Sequence, residues 1–245
     1  FVTSSTQEAG SSGDYYLNVY SSSAATDIQF AIAYANEKGS GSLAYNTAVD
    51  GYSPTSTIYG QYQNLVLGDE NAAFVFGNAT GSDFFAISVE RSRFKETLLP
   101  GILTLKISGS GRVISLTDDS AYTSTITFTE AGRIFNLISG SAGVRNSSVD
   151  SNGWTGNSGS YGWFLPDVGT LLLNGAALAC PAISGGAALA YSGSATSSAT
   201  PNTPPNKSLY IAISGSTSKT FTLNSQENVT SDFIFIRPRS SEFNY

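Results

Sequence analysis

The clearest hydrophobic pattern in the chain predicts a β-hairpin. Apolar and polar residues alternate over residues 102–107 and 113–117, and a Gly-Ser-Gly turn at 109–111 separates the two stretches. Alternation with a period of two places one face of a strand on a core, and a short glycine-rich turn joins two such strands. Shorter stretches typical of strands occur at residues 15–20, 74–76, 84–89, 126–128, 134–138, 221–223 and 233–236. Together they predict an antiparallel meander or sandwich.

Residues 153–178, which include both tryptophans, are predicted to form the centre of the architecture. A glycine-dense segment leads into an apolar run at 163–165, a Pro-Asp break follows, and a second apolar run occupies 170–173. The uninterrupted leucines of that second run predict a strand that is covered on both faces. Asn174-Gly175 then predicts a tight turn, because this pair readily adopts positive φ angles.

One segment shows helical spacing. Ile28, Ala31, Ile32 and Ala35 recur at intervals of three and four residues, which predicts a helix over 27–37 that ends at Gly39. Residues 209–213 suggest a second, shorter helix but also permit a strand. The predicted fold class is therefore all-β or β-dominated α+β, an antiparallel meander or sandwich with one or two short helices and long Gly/Ser-rich loops.

The distribution of Gly, Ser, Thr and Pro predicts four regions. Residues 1–14 form a flexible N-terminal arm, 15–191 the main β-rich domain, 192–206 a linker or long exposed loop, and 207–245 a C-terminal β segment. We expect the chain to be a piece of a longer protein, because it contains no methionine and its last residues break off within a pattern.

Composition narrows the function classes. Charged residues make up 12% of the chain, about half the roughly 25% of an average domain. The net charge of −6 argues against nucleic-acid binding, which depends on lysine and arginine. No apolar run approaches the ~18 residues of a membrane span, so we expect no membrane insertion. The chain has no histidine and one cysteine, Cys180, which is interpreted as a small buried hydrophobe.

The few clusters of chemically active side chains have simple structural interpretations. Asp118 and Asp119 are adjacent at a predicted strand end and point in opposite directions, so they are interpreted as turn-capping residues. The charge-rich residues 90–96 are either a solvated turn or a salt-bridged docking surface. We therefore predict no catalytic residue, no cofactor-binding residue and no metal ligand, and hence no enzyme and no cofactor.

Three stretches resemble a known family: NSGSYGWFLPDVGTLLLNGAAL at 157–178, VDGYSPTSTIYGQYQNLVLGDEN at 49–71 and FTLNSQENVTSDFIFIRPRSSEFNY at 221–245. They are similar to the large virion structural proteins of T4-like contractile-tailed phages, or myoviruses, especially those of marine cyanobacteria. The similarity extends from about residue 38 to residue 245. The resemblance implies a tail or baseplate component of the virion, and it supplies no active-site residues.

The leading interpretation is a nonenzymatic structural protein of a contractile phage tail, in or attached to the baseplate. Its expected partners are other tail or baseplate proteins, in multiple copies. We expect the long loops at 139–162 and 192–206 to be ordered chiefly by neighbouring chains. The predicted interface residues are Tyr161, Trp163, Phe243 and Tyr245, since large aromatic side chains dominate interfaces, although Trp163 fits a core position equally well.

Two alternatives come from other classes of protein. Aromatic residues in Gly/Ser/Asn-rich loops, around Tyr161 and Trp163, are also typical of a carbohydrate-binding adhesin or receptor-binding module. Only this alternative would make a host surface glycan the partner. A polysaccharide-degrading tail enzyme would need a pair of carboxylates across a sugar bond, and the sequence offers no convincing pair.

Overall fold

A computed structural model describes residues 1–3, 15–22, 26–41, 53–109, 112–146, 160–179, 189, 204–215 and 221–237. The fold is β-dominated, as the sequence predicts, and its helices are few and short. The strands are β1 Val2–Thr3, β2 Leu17–Tyr20, β3 Ile28–Asn36, β4 Phe74–Phe76, β5 Ala79–Gly81, β6 Asp83–Val89, β7 Thr97–Leu98, β8 Thr104–Gly109, β9 Arg112–Asp118, β10 Thr127–Thr129, β11 Gly132–Ser141, β12 Val144–Arg145, β13 Gly162–Leu165, β14 Thr170–Asn174, β15 Phe221–Thr222 and β16 Ser225–Gln226.

Twelve of these strands form one sheet that curls into a half-barrel. The strand order is β1-β2-β3-β6-β14-β13-β11-β9-β8-β15, and β10 and β12 also pair with β11. The pairs β4–β5 and β7–β16 form two small separate sheets. All of the described pairings are antiparallel. The predicted hairpin is confirmed, since β8 pairs with β9 in a continuous register.

The helices are short, and two of them pack against the faces of the sheet. Helix α1 spans Pro54–Tyr62 and runs into a π-helical turn, Gln63–Leu67. A 3-10 turn covers Arg91–Arg93, and two further helices are α2 Gly175–Ala179 and α3 Pro205–Ser214. The short helix predicted at 209–213 is therefore confirmed.

The middle of the sheet is buried on both faces, as the leucine run predicts. Every residue of β14 is buried. Leu171 and Leu173 join a cluster on the inner, concave face, whereas Leu172 joins a second cluster on the outer face. A strand with both faces covered needs no polar side, so its sequence shows a continuous apolar run instead of alternation.

The inner cluster is closed by helix α3. This helix lies against both β3 and β8, which belong to opposite halves of the curled sheet. Leu209, Ala212 and Ile213 point into the cluster and are almost fully buried. Burial of one such aliphatic side chain contributes roughly 1.5–3 kcal/mol. Residues 207–214 thus share one core with the main sheet.

The outer cluster is rich in aromatic rings. Helix α1 and the β4–β5 hairpin cover this face, and Phe74 lies at the centre, with its ring 4.7 Å from Phe84 and 5.4 Å from Tyr59. The Tyr59 hydroxyl donates to the Gly81 carbonyl at 2.9 Å. Burial, followed by the negative charge of Glu37, raises the pKa of Tyr59 to about 12, so the hydroxyl stays protonated at neutral pH.

The helix predicted over 27–37 is wrong, because these residues form strand β3. Large and small side chains alternate along it: Phe30, Ile32 and Tyr34 enter the inner cluster, and Ala33 and Ala35 face the outer one. Pairing with β2 on one side and β6 on the other fixes this extended conformation. The alanines satisfied helical and strand spacing equally well, and the pairing decided between them.

Helix α1 was not predicted from the sequence. The overlooked signal is Ser53-Pro54. The N–H of Ser53 donates to the Ser56 hydroxyl at 3.2 Å in a capping box, and Pro54 occupies the first turn of the helix. Serine before a helix and proline at its first position are the residues that a helix start favours.

Several turns also differ from the predictions. Asn174-Gly175 does not form the predicted tight turn with positive φ angles; the Asn174 side chain accepts the N–H of Ala176 at 3.1 Å where α2 begins. The loop predicted from 139 onward begins later, because β11 continues to Ser141 and β12 follows. Residues 147–159 and 190–203 lie outside the described residues. In the predicted N-terminal arm, Val2–Thr3 pair with β2, and 4–14 are outside the described ranges.

Candidate assembly surface

The C-terminal segment is anchored to the half-barrel at its base. Strand β15 pairs with β8 through Phe221 opposite Leu105, and β16 pairs with β7 through Ser225 opposite Leu98. Between these two pairings, the N–H of Leu99 donates to the Asn224 carbonyl at 2.8 Å. The segment therefore follows one edge of the fold for six residues, from 221 to 226.

The charge-rich residues 90–96 hold the next two residues of the segment. The Lys95 ammonium lies 2.9 Å from the Glu227 carboxylate, and this hydrogen bond raises the pKa of Lys95. A carboxylate oxygen of Glu96 accepts the N–H of Asn228 at 3.1 Å. Arg91 stays in its own turn and donates to the Phe94 carbonyl at 2.8 Å. Part of this charge-rich turn thus docks the C-terminal segment of the same chain.

Beyond Asn228 the segment leaves the body of the protein. Its apolar side chains are exposed by 80% or more: Val229 80%, Phe233 81%, Ile234 85%, Phe235 94% and Ile236 82%. The strand predicted at 233–236 is wrong, since these residues form no described pairing. Four consecutive large apolar side chains in solvent are unusual for an isolated domain and mark an interaction surface. We call residues 229–237 the tail.

The predicted interface residues fall into three environments. Tyr161 lies in the inner cluster and is 1% exposed, so its ring has no free surface for a partner. Trp163 is half-buried in the outer cluster, with its ring 5.1 Å from Phe76 and 5.8 Å from Phe74. Phe243 and Tyr245 lie outside the described residues.

A second exposed feature is a groove on the opposite side of β9 from β8. It has a volume of about 410 Å³ and is lined by residues of three strands and the chain just after them: Val113, Ile114, Ser115, Ser139, Gly140, Ser141, Val144, Arg145 and Asn146. Val113 and Val144 are 44% and 65% exposed on its rim. We call this the β9 groove.

The prediction that both adjacent aspartates cap turns holds for Asp118 alone, which bonds to Ser120 in its own turn, whereas the Asp119 side chain binds the neighbouring strand. One carboxylate oxygen of Asp118 accepts the N–H of Gly101 at 2.7 Å and the hydroxyl of Ser120. Asp119 accepts both the backbone N–H and the side-chain amide of Asn136, at 2.9 and 3.0 Å. Burial raises the pKa of Asp119, and the hydrogen bonds from Asn136 oppose that rise.

The described residues offer little to metals or membranes. No three His, Cys, Asp or Glu side chains among them come together in a way that could hold a metal ion. In the described ranges, no helix combines the length and the apolar character needed to cross a bilayer. Two exposed features of the described residues are candidates for protein contacts, namely the tail and the β9 groove.

Comparison with known protein families, curated proteins and solved structures found no match to this chain.

Proposed function

We propose that this chain is a nonenzymatic structural protein of a contractile phage tail, in or attached to the baseplate, and that it acts by assembling with other tail proteins. The observation that carries the proposal is the exposed tail of this chain, residues 229–237. Its four consecutive apolar side chains stand in solvent in the single chain, and an apolar surface of this kind gains free energy when a partner covers it.

Two further observations support the same function. The resemblance of residues 49–71, 157–178 and 221–245 to large virion proteins of T4-like phages covers the tail itself. The anchoring of residues 221–228 by two short strand pairings and the Lys95–Glu227 ion pair fixes the point from which the tail leaves the body. A fixed departure point lowers the ordering cost that a partner must overcome on binding.

The environment of the aromatic residues favours assembly over glycan binding. A sugar-binding site needs aromatic faces that are open to solvent. Tyr161 is buried in the core and Trp163 packs against Phe74 and Phe76, so the residues that motivated the carbohydrate alternative have other contacts.

The proposal predicts that the chain is a component of purified phage tails. Mass spectrometry of phage tails from the source phage should detect the chain at a fixed copy number. Cryo-electron microscopy should place it in or beside the baseplate, with residues 229–237 in contact with a neighbouring protein. If the chain is absent from purified particles, the proposal is wrong. If the purified chain binds a glycan array and is missing from phage tails, the adhesin alternative replaces the proposal.

A further inference from the structure

In the part of the chain that the structure describes, strand β9 has an open edge beside the β9 groove. Its register with β11 ends at Leu116 opposite Ser139. From there β11 turns away to pair with β12, and the N–H of Gly143 in the connecting turn donates to the Thr117 hydroxyl at 2.8 Å. Among the described residues, Val113 and Ile114 of β9 therefore have β8 as their one neighbouring strand.

The backbone groups of this edge face the groove. The carbonyls of Leu137 and Ser139 accept the N–H groups of Tyr161 and Asn146, both at 2.8 Å, so they point away from β9. Alternate residues of a strand present their backbone groups to opposite sides, so Ile138 faces β9 and meets Thr117. Two and four residues before Thr117, Ser115 and Val113 turn their N–H and C=O groups to the same side, which is the side of the groove. The antiparallel pairing of Leu116 with Ser139 joins the Ser115 carbonyl to the N–H of Gly140, so the groups offered to the groove are the Ser115 N–H and the N–H and C=O of Val113.

The rim of the groove carries an exposed apolar surface and a positioned cation. Val113 and Val144 supply the apolar part. The Arg145 guanidinium lies 4.8 Å from the centre of the Tyr122 ring. The backbone N–H of Arg145 donates to the Tyr122 hydroxyl at 3.1 Å. Stacking on an aromatic ring reduces the freedom of the arginine side chain, so it is ready to pair with an anion.

The tail has the properties of a strand that fits this edge. Phe233 to Ile236 are aromatic and β-branched residues, which favour extended conformations, and Asp232 immediately precedes them. In an extended segment Phe233 and Phe235 share one face, so both rings can cover the apolar rim together. Asp232 supplies a negative charge that can pair with Arg145 of a second copy.

We propose that the tail of one copy of this chain pairs as an added strand with the open edge of β9 in a second copy. This inference rests on the proposed function, because it names the partner in assembly as another copy of the chain. The tail and the groove are different surfaces, so the contact is heterologous. Such contacts build rings or open filaments, or a closed dimer when two copies exchange tails reciprocally. Added strands gain main-chain hydrogen bonds together with side-chain contacts.

Two sets of variants separate the two surfaces. Phe233→Ser with Phe235→Ser removes both aromatic side chains of the tail and keeps the groove. Val113→Asp places a carboxylate on the groove rim and keeps the tail; Val144→Asp serves the same purpose from the other wall if Val113→Asp does not fold. Phe128→Ser is the matched control, because Phe128 is 68% exposed and belongs to neither surface.

The measurement is the molar mass of the purified full chain by analytical ultracentrifugation over a range of concentrations. We expect the parent chain and Phe128→Ser to associate as concentration rises, and the tail and groove variants to associate at least about tenfold more weakly. An equimolar mixture of the two variants should form a dimer and stop there, since one copy donates its only intact tail to the other copy's only intact groove.

Three outcomes would overturn the inference: a parent chain that stays at single-chain mass throughout, groove variants that associate as well as the parent, or a mixture that forms no dimer of one tail variant with one groove variant. A symmetric tail-to-tail contact would give the second and third results together. These outcomes are independent of the proposed function. If the chain assembles in this way but is missing from phage tails, the inference stands and the proposed function is wrong. If the chain is found in phage tails but its variants form no mixed dimer, the proposed function stands and the inference is wrong.

Discussion

Individual aromatic residues show what local sequence can and cannot reveal. Tyr161 follows a glycine-dense segment and was predicted at an interface, but its N–H donates to Leu137 and its carbonyl accepts Asn174, which draw it into the core. Phe235 lies within an apolar run typical of a buried strand, yet it is 94% exposed and has no strand partner among the described residues. The presence or absence of a distant partner decided burial in both cases, and no window of neighbouring residues contains that information.

One residue-scale prediction concerns the ion pair between Arg133 and Asp167. It joins β11 to the β13–β14 turn, with Arg133 Nε and Nη2 lying 3.0 and 2.6 Å from the same Asp167 oxygen. Burial alone would raise the pKa of Asp167, but the hydrogen bonds from the Arg133 side chain and backbone N–H outweigh it and lower the pKa. Asp167→Asn should therefore cost about 1–2 kcal/mol of unfolding free energy at pH 7.

The same pair gives this prediction a pH dependence. Because the pKa of Asp167 is lower in the folded than in the unfolded state, its contribution is present above the unfolded value of about 3.9 and is lost as pH falls through the folded pKa. Urea unfolding should show a gap between parent and variant at pH 7 that closes at low pH. Asp27→Asn is the control, since its ion pair with Arg93 is long, at 3.6 Å, and Asp27 is 77% exposed. An equal loss in both variants would contradict the prediction.

At the scale of elements, the sequence was informative where one pattern allowed one structure. The alternation in β8 and β9 and the leucine run of β14 fitted no helix, and those strands are confirmed. Residues 27–37 fitted both periods because small alanines occupy alternate positions, and the prediction of a helix there failed. The β9 groove was not predictable, since it exists because β11 parts from β9 after Ser139.

Helix α3 provides the prediction for this scale. It closes the inner cluster between β3 and β8, so its buried side should matter far more than its exposed side. Leu209 is 0% exposed, and Leu209→Ala should lower the free energy of unfolding by about 2–5 kcal/mol through lost burial and a cavity. Ile211 is 49% exposed on the same helix, and Ile211→Ala should cost less than about 1 kcal/mol. Comparable urea midpoints for the two variants would mean that α3 is not a core element.

At the scale of the whole molecule, the body of the protein buries its own apolar side chains and the tail, residues 229–237, leaves its apolar side chains exposed. The half-barrel has apolar clusters on both faces of its central strands, closed by α3 inside and by α1 and the β4–β5 hairpin outside. The tail contributes nothing to either cluster, although it is among the most apolar segments of the chain. The residues that stabilise the body and the residues proposed for assembly are therefore different and can be altered separately.

This separation leads to a prediction that does not depend on which partner the tail binds. With Phe233 and Phe235 exposed by 81% and 94%, changing both to Ser removes almost no area that folding buries. The urea midpoint of the double variant should equal that of the parent when both are measured at concentrations low enough to keep single chains. Binding of the dye ANS, which reports exposed apolar surface, should fall in the variant because two of the five exposed apolar side chains of the tail are gone. A lower midpoint with unchanged dye binding would show instead that the tail packs against its own body and serves stability.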